Sequence, residues 1–373
     1  MNRASVDTLI VGGGLIGCAL AGELARRGAA VTVIERDEPG AEASGAAAGM
    51  LTPQAEARAP GPFFDLALES RALFPAWSRN LFEETGIDVG YRRMGLWQCA
   101  FEASAFQRDR EAYRWQRERG LSVEDRPRAG LDEILGGRLS PEVAGAVFFP
   151  NEGAVDARLL TRAAWLSAER RGVRFVTGAA VTRFRVENGV CRGVETEAGA
   201  FRAPVVVDAA GAWASFDPGV SVPVQPVRGQ IVQVRASGEP LSTLVCSDEV
   251  YLVPRADGTV LLGSTVEFVG FRKEVTAGAV QMLLASAARL VPSIAGARFV
   301  TAWAGLRPGT PDGLPILGAS PVGGLFFATG HFRNGILLAP LTAMLLADAL
   351  DGEPVRQISP FSVERFARAP SWA

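Results

Sequence analysis

Histidine is almost missing from this chain: among its 373 residues there is one, His331. That excludes a metal centre built on several imidazoles. Lysine is equally scarce, with Lys273 alone, so arginine carries nearly all the positive charge. The four cysteines, Cys18, Cys99, Cys191 and Cys246, lie far apart with no CxxC spacing. This excludes a zinc ribbon and a thioredoxin-like pair, and reads as small buried hydrophobes in a reducing compartment. Net charge is also lacking: 38 basic against 40 acidic residues leave a formal −2. No global field draws such a chain to nucleic acid or to an anionic membrane. A long apolar run is absent too, because residues 335–350 are broken by Pro340 and fall short of the roughly 20 residues that a span needs. The first strand begins within a few residues of the N-terminus, which leaves no room for a secretory leader. The expectation is a soluble, cytoplasmic protein with no bound metal, no nucleic acid and no membrane partner.

What is present begins at residues 6–17, Val-Asp-Thr-Leu-Ile-Val-Gly-Gly-Gly-Leu-Ile-Gly. An apolar run of strand type ends in Gly12, Gly14 and Gly17, and a helix opens at Leu15 and Ile16 and runs to Gly28. One glycine is needed for a sharp turn, one for close approach of a pyrophosphate, and one for close packing of helix on strand. The helix N-terminus then offers unpaired N–H groups and the positive end of its dipole to phosphate. A second apolar strand, residues 30–34, ends in Glu35, at the distance where an acid accepts a ribose hydroxyl. Strand, turn, helix and acid in that order predict a dinucleotide site, and the acid disfavours a 2′-phosphate. Residues 36–51 are rich in Gly, Ala and Ser, which would let a large planar ligand lie close to the backbone.

The length predicts two domains. Periodicity predicts a long amphipathic helix at 62–85, a strand at 91–101, a charged helix at 105–120 and a helix at 157–172 capped by Asp156. Strands follow around 173–176, 181–186 and 194, and a buried strand from 204 ends in Asp208 and Gly211, as at the ligand crevice of a doubly wound sheet. Further strands are predicted at 222–236, 250–254, 259–264 and 299–306, with a helix at 276–291. Residues 324–328, 329–335 and 336–350 repeat the order strand, glycine loop, helix, so a second helix N-terminus is expected at the ligand.

Six stretches, spread from end to end, carry a family likeness: Gly12-Gly-Gly-Leu-Ile-Gly17, Ala46-Ala-Ala-Gly-Met-Leu51, Pro226-Val-Arg-Gly-Gln230, Tyr251-Leu-Val-Pro-Arg255, Ala304-Gly-Leu-Arg-Pro-Gly-Thr310 and Gly330-His-Phe-Arg-Asn-Gly-Ile-Leu-Leu-Ala-Pro340. In them the chain resembles the FAD-dependent D-amino-acid oxidase family, in particular its glycine-oxidising members, which are associated with thiamine biosynthesis. The resemblance implies an α/β fold: a discontinuous Rossmann-like FAD-binding domain (residues 1–60, 155–215 and 310–373) and a mixed-sheet α+β substrate-binding domain (61–154 and 216–309). It implies that Glu35, beside Arg36, holds the adenosine ribose, that Val181 lies against the adenine, and that the loop from Ser44 through Gly49 and Met50 passes the flavin. Gly211 belongs to the same crevice, and Gly330, His331, Arg333, Asn334, Gly335 and Ile336 border the pyrimidine edge of the ring. For the substrate it implies a carboxylate held by Arg307 and Tyr251, with Arg333 facing the same cavity. A guanidinium matches a carboxylate through two parallel hydrogen bonds.

The activity so implied is oxidation of glycine, sarcosine or small D-amino acids to the keto acid or glyoxylate, with ammonia or amine and hydrogen peroxide as co-products, dioxygen taking the electrons. No cysteine follows Cys246, so FAD is expected to be non-covalent, and a homo-oligomer such as a tetramer fits the family. Glu249 and Val266 depart from the pattern, where a histidine and a methionine are usual. Other readings are a different D-amino-acid oxidase or amine dehydrogenase of the family, a nicotinamide dehydrogenase, a family member acting on transfer RNA, and a non-catalytic flavin-binding subunit. The nicotinamide reading gives no role to residues 208–211 or to the second glycine loop, and the transfer-RNA reading wants a basic surface.

Overall fold

The structure is a computed structural model that describes residues 7–135, 137–214, 220–235 and 241–367. The expected domain boundary at 215/216 and the last residue of the strand expected at 222–236 lie outside the described residues.

The glycine-ended strand Thr8–Val11 is the centre of a six-stranded sheet. Val31–Ile34 and then Arg174–Val176 lie on one side of it, and Val205–Asp208, Leu325–Thr329 and Ile316–Ala319 on the other. All neighbours pair in parallel except the last two, which are antiparallel. Strand order therefore reverses direction at the first strand, between Val31–Ile34 and Val205–Asp208, which opens a crevice at the carboxyl ends of these strands. All four residues of the first strand are buried, as a strand covered on both faces requires. The helix Leu15–Arg26 follows with only Gly12-Gly13-Gly14 between, and its chain leaves through Gly28, where φ is 95°.

A second, mixed sheet of eight strands runs from Arg298–Gly309 at one edge through Gln225–Arg235, Thr259–Gly263, Tyr251–Pro254, Leu244–Cys246, Leu96–Ala100 and Gly145–Phe149 to Glu124–Pro127. It is antiparallel except where Leu244–Cys246 lies parallel to Leu96–Ala100. The edge strand continues past the expected end at 306 and carries Arg307 and Pro308 within it, Arg307 opposite Val227. Proline is tolerated there because an edge strand has one side free of ladder bonds.

Other departures from the sequence reading have local causes. The strand expected at 91–101 is two pieces, Arg92–Arg93 and Leu96–Ala100, divided at Gly95, whose φ is 72°. The charged helix expected at 105–120 is broken at Tyr113 into Ala103–Ala112 and Arg114–Glu118. Strands Val181–Glu187 and Val190–Thr196 form a hairpin around Asn188 and Gly189, both at positive φ. Asn-Gly is the residue pair such a turn demands, and the sequence carried that signal. Asp156 caps the helix Ala157–Arg170 by accepting from the N–H groups of Arg158 and Leu159.

The long helix Pro62–Thr85 begins and ends where periodicity placed it. Its apolar stripe is buried in one cluster with the first helix, the helix Ala157–Arg170 and the last helix, Gly335–Leu350. It therefore shares a core with the six-stranded sheet, and an edge of that unit at residue 60 would cut it away from the core that Phe74 fills. Phe74 is fully buried. Phe74→Ala is expected to lower the unfolding free energy by about 3–5 kcal/mol through lost transfer energy and the cavity left behind, read as a shift of the denaturant midpoint; a loss under about 1 kcal/mol would mean that the helix is not part of this core.

Candidate active site

A cavity of about 820 Å³ extends from the crevice at the strand switch to the inner face of the eight-stranded sheet. It lies within the range of about 300–1,000 Å³ usual for small-molecule and cofactor sites. The first glycine loop forms one end. Gly12 has φ of 103°, and a Cβ there would lie 2.5 Å from the carbonyl oxygen of Ala209. Gly17 does not reach the cavity, since its Cα packs against the carbonyl of Gly12, the close helix-to-strand contact its place in the motif requires. Gly12, Gly14, Leu15 and Ile16 line the wall, with the first-turn N–H groups that have no intrahelical acceptor.

Glu35 and Arg36 line the same end, as does Val181. One oxygen of Glu35 accepts from the N–H of Gly13 at 2.6 Å and the other from the N–H of Asp37 at 2.9 Å. The acid thus braces the glycine loop as well as facing the cavity. Arg36 is paired with Asp37 and Glu42, and its guanidinium stacks on Trp213, 4.3 Å from the ring centre. Ser44 accepts from the N–H of Leu15 at 2.9 Å, which ties the small-residue loop to the helix N-terminus. Further along that loop, Arg255 donates to the carbonyls of Val155 and Ala48, and Trp303 donates to that of Ala46. The sequence named Arg255 only as part of a motif; here it fixes the wall that Gly49 and Met50 continue.

The far side is built by Gly211, His331, Gly335 and Ile336. The last helix begins at Gly335, so a second helix N-terminus does face the cavity. Gly330 lies behind this wall, packed against Thr310 and Ile316. His331 is buried, its Nε2 lies 3.2 Å from the hydroxyl of Thr342, and burial pushes its pKa down to about 3. A neutral, enclosed imidazole with that partner is a packing element.

Arg307 is the centre of the remaining region. Its Nη1 donates to the carbonyl of Thr265 at 3.0 Å and its Nη2 to the hydroxyl of Ser264 at 2.6 Å. No carboxylate of the described residues forms an ion pair with it. The guanidinium lies over Gly229 and the Tyr251 ring over Gly263, and a Cβ at either glycine would collide with them. Burial lowers the pKa of Arg307 from its usual value, although a guanidinium remains charged at any ordinary pH. Burial also raises that of the Tyr251 hydroxyl, against the pull of Arg307, so the phenol stays a donor.

Arg333 lines the cavity but is half exposed at its mouth, 3.7 Å from Glu56. Asn334 is not in the lining; its amide donates to Glu56 at 3.3 Å. Glu249 and Val266 both stand at the rim, Glu249 turned toward Arg289 and Ser286. Sequence reasoning missed Glu56, Ser264 and Trp213 as parts of the site. Nothing in their spacing marks them, because each reaches the cavity only through tertiary folding. Among the described residues there is no group of His, Cys, Asp and Glu able to hold a metal ion, and no helix is long and apolar enough to cross a membrane.

Residues 7–349 match the family model described as FAD dependent oxidoreductase. The glycine oxidase of Geobacillus kaustophilus is 40% identical, over 96% of this chain and 97% of its own length. Its crystal structure superposes with a TM-score of 0.93, covering 96% of this chain and 98% of that one. The bifunctional protein ThiO/ThiG of Trichormus variabilis is 37% identical over 98% of this chain, and the chain spans 56% of its length.

Two outcomes are expected. Gly229→Ala should displace the guanidinium of Arg307 and weaken binding of a small carboxylate such as acetate about tenfold or more, measured by spectral titration; unchanged affinity would mean that the anion binds elsewhere. An unfolded histidine titrates near 6.5, so below that pH the unfolded chain binds a proton that buried His331 refuses. Stability should therefore fall as pH drops below 6.5, by up to about 1.4 kcal/mol per unit. This slope should be shallower in His331→Asn, and the only imidazole signal of the folded protein should not titrate between about pH 5 and 8 in NMR spectra.

Proposed function

Since the chain belongs to the FAD-dependent oxidoreductase family, we propose that it oxidises glycine and other small amines, among them sarcosine and small D-amino acids, at the carbon between amine and carboxylate. The observation that carries this reading is a guanidinium held from behind, without an acidic partner among the described residues, in the same cavity as two glycine loops. The first loop and its helix N-terminus suit a pyrophosphate, Glu35 suits a ribose, and the row from Ser44 to Met50 leaves room for a broad planar ring. These residues fit FAD, bound without a covalent link. FAD, when bound, supplies a two-electron acceptor that dioxygen can reoxidise with release of hydrogen peroxide.

The chain's own contribution is orientation. Arg307 takes the substrate carboxylate through its cavity-facing side, while Ser264 and Thr265 keep the guanidinium from turning. Tyr251 adds a hydroxyl donor beside it. With one end of a small amine so fixed, its carbon–hydrogen bond has few remaining orientations, which is catalysis by positioning. No protein base is required once the amine is uncharged: a hydride would leave its α-carbon for the two-electron acceptor that FAD supplies when bound, and water would hydrolyse the resulting iminium to glyoxylate or the keto acid with release of ammonia or amine. His331 is neutral and engaged with Thr342, consistent with that economy.

The same reading divides the chain into a flavin-binding unit around the six-stranded sheet, with the long helix included, and a substrate-binding unit around the eight-stranded sheet. It makes the protein a cytoplasmic homo-oligomer, supported by exposed apolar side chains such as Phe268, Phe271 and Phe299. Likeness to one part of a ThiO/ThiG protein supports service in thiamine thiazole synthesis. Arg307→Ala, with its flavin retained, should lose about 2–5 kcal/mol of transition-state binding, seen as a fall in kcat/KM for glycine in a peroxide assay. Failure of glycine, sarcosine, D-alanine and D-proline all to bleach the flavin under anaerobic conditions would overturn the function.

A further inference from the structure

Beside Arg307 the cavity carries a second guanidinium and one carboxylate whose joint role the activity above does not use. Glu56 is the last residue of the short helix Pro53–Glu56. Its Oε1 accepts from the hydroxyl of Thr52 at 3.3 Å, its Oε2 accepts from the amide of Asn334 at 3.3 Å, and the same Oε2 lies 3.7 Å from Nη2 of Arg333. The helix that presents it is anchored rigidly: Glu152, fully buried, accepts from the N–H groups of Gln54 and Ala55 at 2.6 and 3.1 Å and from Arg71 at 2.7 Å. Glu56 is thus a charge on a fixed support, with a side chain 29% exposed.

The charges around this end can be counted. Arg58 is paired with Asp109 and reaches toward Asp248, and Glu249 is paired with Arg289. Arg333 is matched by Glu56, and Arg307 has no match among the described carboxylates. Arg307 is thus the one guanidinium of this group without an ion pair among the described residues, and it suits one substrate carboxylate. Arg333 and Glu56 also act with opposite sign on both Tyr251 and Arg307, so the pair is electrostatically part of the same region.

Resting on the amine-oxidase reading above, we propose that Glu56 is a specificity-determining residue that confines the site to amines bearing a single acid group. By occupying Arg333 it leaves Arg307 as the one guanidinium of this end, among the described residues, that has no carboxylate partner. A second substrate carboxylate reaching for Arg333 would meet Glu56, and either two carboxylates share one guanidinium or Glu56 is left unpaired. Both cost free energy, which is selection by a repulsive element rather than by fit.

The test compares sarcosine with iminodiacetate, two N-substituted glycines that share one end and differ by an acid group on the other. In wild-type protein sarcosine should be much the better substrate by kcat/KM. Glu56→Gln removes the repulsion and frees Arg333, so the iminodiacetate-to-sarcosine ratio should rise about tenfold or more, chiefly through KM. Adding Arg333→Gln to that variant should return the ratio toward the wild-type value. A ratio unmoved in flavin-loaded Glu56→Gln, or a gain that survives in the double variant, overturns the proposal. Should Glu56→Gln not retain flavin, Arg333→Gln alone decides: with Glu56 uncompensated the ratio should fall, and a ratio that stays or rises overturns it. Wild-type protein inactive on both glycine and sarcosine would instead refute the amine-oxidase reading, a result that the ratio cannot mimic.

Discussion

The site depends on a half-buried guanidinium that no carboxylate of the described residues neutralises. Arg307 is held by a hydroxyl and a carbonyl, Ser264 and Thr265, and by no carboxylate of the described residues. Such a group is costly to bury unless an anion completes it. Its surroundings are shaped by that need. Gly229 lacks a side chain because the guanidinium occupies the space, and Gly263 lacks one because Tyr251 does. Two adjoining strands are therefore stripped to backbone so that two polar groups can lie flat in the cavity wall. The edge position of Arg298–Gly309 lets Pro308 follow Arg307 without breaking a shared ladder.

At the other end the constraint is close approach of backbone to ligand. Gly12 turns where the carbonyl of Ala209 would exclude any Cβ, and the helix starting at Leu15 comes down against it. Glu35 links this loop to the second strand by accepting from Gly13. Because the first strand is the switch point of the sheet, the loops after Val11, Ile34 and Asp208 converge there. The N-termini of two helices, Leu15–Arg26 and Gly335–Leu350, bring their positive dipole ends to the cavity, so both phosphate and an electron-rich ring would find favourable partners.

Much of this was legible in residues whose physical demand is local. Gly12, Gly14, Gly17 and Glu35 announce a dinucleotide turn because the turn, the approach and the acid fall within one strand-helix-strand unit. The bounds of the long helix Pro62–Thr85 follow from its periodicity, its proline at the first turn and Gly86 beyond its end. Asp156 was readable as a cap for the same reason. The division of the strand expected at 91–101 was not readable, since a glycine within a strand pattern announces neither its positive φ nor the ring of Phe148 that lies where a Cβ would go. Nor was the place of the long helix, because an apolar stripe states that a face is buried and not against what.

The sequence by itself determined the elements, the glycine corners, the acid that ends the second strand and the arginine-bearing motif. Each is set by backbone sterics or side-chain chemistry over a few neighbouring residues. Tertiary structure alone decided which charges meet. Glu56 and Arg333 are 277 positions apart, and whether Arg333 faces a substrate or a carboxylate of its own chain is fixed only when the helix Pro53–Glu56 is pinned by Glu152. Coulomb energy depends on distance in space and on burial, and neither is written in the order of the residues.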